Sequence, residues 1–144
     1  MVYSSSQHNV VTVDAQLMSP IEPVCPGNRV IFTCQLPGAI TRWRVFLPQQ
    51  LTLENTARSS QYGLPAVKFA GDPGFNFEIH VVSNSSANAT TELQVTALRE
   101  LNGVTVECSG PGTSPFRSTI QVASIGKLYI NNSIKIVLSF NNYK

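Results

Sequence analysis

Residues 29–47 read R-V-I-F-T-C-Q-L-P-G-A-I-T-R-W-R-V-F-L. Val30, Phe32 and Cys34 fall on one side of an alternating run, with Arg29, Ile31 and Thr33 on the other. A period of two is what a strand buried on one face requires, because successive side chains leave the pleat in opposite directions. Pro37-Gly38 supplies a turn, and a second alternation follows, Trp43, Val45 and Leu47 against Arg42, Arg44 and Phe46. Two strands are expected here, with a cysteine and a tryptophan nine residues apart on their apolar faces.

The same pattern continues outward. After the turn signal Gly71-Asp72-Pro73-Gly74, Phe75, Phe77, Ile79 and Val81 alternate with Asn76, Glu78 and His80. Thr91 to Ala97 alternates again, Asn102-Gly103 leads into Val104 to Cys108, and Gly110-Pro111-Gly112 precedes Thr119 to Val122. Asn9 to Val13 reads as a first strand, while Leu51-Thr52-Leu53 and Val67-Lys68-Phe69 read as short edge strands around a polar loop. No stretch carries a helical apolar stripe, and residues 96–102 allow one turn at most. Short strands separated by Gly, Pro and Asn turns indicate an all-β sandwich or barrel.

The chain has 144 residues, enough for one domain with a proper core and too few for two comfortable ones. Residues 1–125 carry seven basic against eight acidic side chains, and the last nineteen residues carry three lysines and no acid. The body is thus nearly neutral, which argues against a nucleic-acid footprint. The first sixteen residues lack the basic and apolar regions of a secretory signal, and no apolar run is long enough to span a bilayer, so no direct membrane insertion is expected.

Cys34, Trp43 and Cys108, with V-I-F-T-C (30–34), R-W-R-V (42–45), L-Q-V-T-A-L (93–98) and N-G-V-T-V-E-C (102–108), resemble the immunoglobulin superfamily over about residues 9–125. The resemblance implies a two-sheet antiparallel Greek-key sandwich, a Cys34–Cys108 disulfide joining the sheets, and Trp43 packed against it. Taken without the resemblance, the two cysteines also fit buried free thiols. Their separation of 74 leaves room for extra edge strands, which implies a variable-like or intermediate set. One position departs from the family: Val106 stands where a tyrosine normally fixes the corner before the second cysteine. Another device must hold that corner.

Cys25 is the odd cysteine. Extended, it would lie about 30 Å from Cys34, and a hairpin at Gly27-Asn28 still leaves the two beyond the ~7 Å limit for bridging. It is expected at or just before the start of the strand holding Cys34, unpaired within this chain, with any partner in a further stretch or a second chain.

Catalytic chemistry is sparse. His80 neighbours Glu78 on what reads as a solvated face, and His8 lies in a lead, residues 1–8, expected to be disordered. No H-E-x-x-H, G-x-S-x-G, phosphate loop or C-x-x-C occurs, and the cysteine spacings do not fit zinc. No enzyme activity, cofactor or metal is expected. Sequons at Asn84, Asn88 and Asn131 match N-x-[ST], and the first two fall in one turn where a glycan would project freely. The resemblance implies ligand contact on an outer sheet face, where alternation places Arg42, Arg44, Phe46, Thr105 and Glu107. An exposed Phe between two Arg fits an interface, and a fold-over by residues 50–70 would instead cover it.

Residues 126–144 change composition abruptly, fifteen of nineteen being Lys, Asn, Ile, Tyr, Leu or Phe. This tail is expected to lie outside the fold, as a read-through or variant end, with Ile134 to Phe140 β-prone. The resemblance implies a non-enzymatic recognition module at the cell surface or outside the cell. It would be one domain of a receptor or adhesion glycoprotein, with its signal peptide in another part of the protein, and would meet a protein ligand or homophilic partner. A secreted decoy and a structural spacer are the alternatives.

Overall fold

The computed structural model describes residues 15–21, 23–83, 85, 87–130 and 133–139. The lead 1–8, the strand expected at 9–13, and Asn84 and Asn131 lie outside the described residues. Nine strands build two antiparallel sheets. β1 (Gln16–Met18), β2 (Arg29–Pro37), β5 (Val67–Lys68), β6 (Glu78–Val81) and β7 (Asn88–Thr96) form one, in the order β1-β2-β7-β6-β5. β3 (Ile40–Leu47), β4 (Leu51–Arg58), β8 (Thr105–Ser109) and β9 (Phe116–Thr119) form the other, in the order β4-β3-β8-β9. The protein is an all-β two-sheet sandwich. From Ser124 onward, β10 (Ser124–Ile130) and β11 (Ser133–Ser139) pair with each other as a two-stranded antiparallel sheet.

The inner faces are the apolar halves of the alternations. Val30, Phe32 and Leu36 of β2 meet Val45 of β3, Leu53 of β4, Ile79 of β6, Leu93 and Val95 of β7, and Val106 of β8 in one core. Two bonds cross it side by side. Cys34 and Thr91 are opposite partners on β2 and β7, and Trp43 and Cys108 are opposite partners on β3 and β8. A Cys34–Cys108 disulfide joins the first rung to the second, with 6.6 Å between the Cα atoms. The Trp43 indole Nε1 donates to the Thr91 hydroxyl at 2.9 Å, joining the remaining corners. On the chain-entropy account, closing a loop of this length stabilises by about 4–5 kcal/mol.

Two strands, β6 and β9, are displaced from the sequence expectation for local reasons. Phe75 is not in a strand: the Asp72 carboxylate accepts the N–H groups of Gly74, Phe75 and Phe77, so β6 starts only at Glu78. β9 runs over Phe116–Thr119, earlier than Thr119 to Val122, because the Val122 N–H donates to the Asn102 side chain and Val24 bridges Val122 in parallel. That Asn102 bond, with Leu101 fully buried below a single 3-10 turn, holds the corner where Val106 replaces tyrosine. Gly103 follows at φ +87°, a conformation that disfavours side chains.

The strand expected at Leu51–Leu53 extends to Arg58. Its outer backbone is met by side chains: Asn55 Oδ1 accepts the Thr56 N–H at 2.7 Å and Gln61 Oε1 accepts the Arg58 N–H at 2.7 Å. Asn55 Nδ2 also donates to the Lys68 carbonyl at 2.6 Å, tying β4 to β5 in the opposite sheet.

Candidate recognition face

Alternation along β3 sends Trp43, Val45 and Leu47 inward and leaves Arg42, Arg44 and Phe46 on the outer face of the four-stranded sheet. The register then aligns residues that the sequence alone leaves unrelated. Glu54 of β4 faces Arg44 of β3, Arg44 faces Glu107 of β8, and Glu107 faces Arg117 of β9. One rung across four strands therefore alternates in charge. Arg44 Nη1 lies 3.5 Å and Arg117 Nε 2.8 Å from the two Glu107 oxygens. Arg44 Nε lies 3.3 Å from Glu54 Oε1, but off the hydrogen-bonding direction. Arg42 Nη1 reaches Glu54 Oε2 at 3.4 Å.

The rungs on either side differ in chemistry. On one side Phe46 is half-buried, with the Arg117 guanidinium carbon 5.4 Å from its ring centroid, a cation–π placement. Phe46 thus has Arg117 of β9 against its ring and Thr52 of β4 as its register partner. On the other side Arg42 faces Thr56 of β4 and Ser109 of β8. That rung floors a cleft of about 270 Å3, lined by Ile40, Arg42, Thr56, Ser109, Gly110 and Pro111.

Glu107, expected to be displayed, is on this face but only 1% exposed. A carboxylate out of water is costly unless paired, and here two guanidiniums lie over it. Sequence reasoning missed Glu54 and Arg117. Both lie in strands whose pairing partners only the folded register reveals.

The outer face of the other sheet has its own acidic hub. Glu78 takes Lys68, His80 Nε2 at 3.0 Å and Arg29 Nη2 at 3.4 Å. The Lys68 hydrogen bond is the main cause holding the Glu78 carboxyl below the usual carboxylate range, against the opposing effect of burial. Among the described residues no group of three or more His, Cys, Asp or Glu is placed to hold a metal.

The remaining expected sites are separate from this face. Cys25 is a free, half-buried thiol in the turn ahead of β2, its carbonyl accepting the Asn28 N–H at 3.1 Å. Asn88 opens β7 opposite Pro37, half-buried. The internal disulfide points to an oxidising compartment. No protein-family model matches this chain, and no curated protein matches it in sequence.

Proposed function

We propose that this chain is a non-enzymatic recognition module of the cell exterior, an immunoglobulin-like domain of a receptor or adhesion protein. Its binding surface is the outer face of the four-stranded sheet. The observation that carries the reading is Phe46 set among Arg42, Arg44 and Arg117, an aromatic and three guanidiniums on an open sheet. Aromatic and Arg side chains are the types enriched at protein interfaces and their hot spots. The variable-like or intermediate assignment draws support from β4, an edge strand added beside β3 on the four-stranded sheet. It also draws on the Cys34, Trp43, Cys108 frame. The resemblance supplies the extracellular, non-catalytic role.

The test is direct. Disulfide-bonded domain, multimerised on a scaffold, is offered to a panel of cell-surface ectodomains that includes its own. Binding is then measured for Phe46→Ser, Arg117→Glu and, from the opposite sheet, His80→Ala. The expected result is at least a tenfold loss for the first two and none for the third. A partner lost only with His80→Ala would place recognition on the other sheet and refute the assignment.

A further inference from the structure

Five charged residues of the face form a single chain of ion pairs, Arg42–Glu54–Arg44–Glu107–Arg117. It has cations at both ends, and exposed Arg58 of β4, opposite Ile40, adds a further positive charge to the face. The two ends differ. Arg117 bonds Glu107 at 2.8 Å and its guanidinium lies over Phe46. Arg42, with a side chain 44% exposed, has one partner among the described residues, Glu54 at 3.4 Å, which Arg44 shares. A charge-assisted N–H···O bond is ordinarily 2.7–2.9 Å, and a guanidinium offers five N–H donors. Most of the Arg42 fork is therefore without an acceptor, and it borders the cleft.

The cleft is shaped to match. Thr56 and Ser109 share Arg42's rung, so a hydroxyl-bearing residue stands on each side of Arg42 along the cleft floor. Ile40 and Pro111 add apolar wall. Gly110 makes the close approach of this end of β8 possible, since a Cβ there would sit 3.1 Å from the Ile40 carbonyl oxygen and 3.1 Å from Leu36 Cδ1. A volume of about 270 Å3 falls just below the range for drug-sized ligands, and suits one residue-sized group.

We propose that this cleft is a subsite for a carboxylate carried by the protein partner. The carboxylate binds the Arg42 fork in the bidentate geometry guanidinium favours, accepts from Thr56 or Ser109, and lays its carbon stem against Ile40 and Pro111. The inference rests on the recognition reading and names the chemistry of the partner at one end of that face.

Two sources of carboxylate are possible, an acidic side chain and a chain terminus, and three probes separate them. N-acetyl-glutamate N-methylamide carries the first, N-acetyl-glutamine with a free carboxyl the second, and N-acetyl-glutamine N-methylamide neither. Each is titrated into isotope-labelled domain at low salt and followed by the backbone amides of Thr56, Ser109 and Gly110 and by the Arg42 Nε–H. Saturable shifts with a millimolar Kd are expected for at least one charged probe, at least tenfold weaker for the neutral one and for Arg42→Gln. Arg29→Gln, on the opposite sheet, should bind as the parent does. A well-dispersed spectrum of Arg42→Gln shows that it folds. Equal shifts from charged and neutral probes, or unchanged binding by Arg42→Gln, would overturn the subsite. A protein partner that depends on Phe46 but tolerates Arg42→Gln would overturn it too, leaving the recognition face intact. A carboxylate that titrates at Arg42 in a domain whose partner ignores the whole face would refute the recognition reading instead.

Discussion

Glu78 and Glu107 occupy corresponding roles on opposite sides of the sandwich, each a carboxylate surrounded by cations, yet they are held in different ways. Glu78 has its side chain 24% exposed and meets Lys68, Arg29 and His80 in reach of water. Glu107 has its side chain 2% exposed and depends on Arg44 and Arg117. Water screens the first hub and supplies a substitute whenever a partner is lost. It supplies none to the second. Ion pairs of the first kind contribute about 0–1 kcal/mol, whereas losing the charge-assisted bonds of a carboxylate held out of water costs several.

The comparison breaks first at Glu107. Glu107→Ala, which removes the bonds to both guanidiniums and leaves a void beneath them, is expected to lower the unfolding free energy by about 2–4 kcal/mol in urea titrations with the disulfide intact. A loss no larger than that of a Glu78 variant would mean that water reaches Glu107 after all. Arg117→Ala comes next. Arg117 is 63% exposed, so its own desolvation is small, but it leaves Glu107 with Arg44 alone. The expected loss is about 1–3 kcal/mol, together with a freer Phe46 ring seen as broadened or shifted aromatic resonances. Glu78→Gln should cost under about 1 kcal/mol, and salt near 1 M should erase most of that difference while leaving the Glu107→Ala deficit.

The smallest effect is the dependence on pH. The folded-state pKa of Glu78 lies below its unfolded value, chiefly through Lys68, so its contribution is present above the unfolded pKa and vanishes as pH falls through the folded one. Parent and Glu78→Gln should therefore converge in stability between roughly pH 5 and pH 3, within the titration range of such carboxylates. A constant gap across that window would show that Glu78 acts through packing, not charge.

The fold was legible where one residue's burial decides a strand: the alternations of β2, β3, β7 and β8 and the Cys34, Trp43 and Cys108 frame stand in the chain itself. What was not legible depends on pairing register. Glu107 reads as outward by alternation, and it is outward, but whether it is wet depends on Arg117, a neighbour only once β9 docks at one particular offset. Thr91 likewise reads as an ordinary strand residue, and the indole bond that buries its hydroxyl comes from the other sheet. Asp72 looked like turn chemistry, which it is, but its reach to Phe77 delays β6. Long-range partners of this kind leave no trace in local periodicity.

The backbone of β4 has a consequence of a different kind. An eight-residue strand at the rim of a sheet invites a foreign strand to zip alongside, the route by which β proteins stick to one another. In this molecule Asn55 and Gln61 occupy the Thr56 and Arg58 N–H groups that an incoming chain would use. The far half of the rim is thus sealed by the protein's own amides.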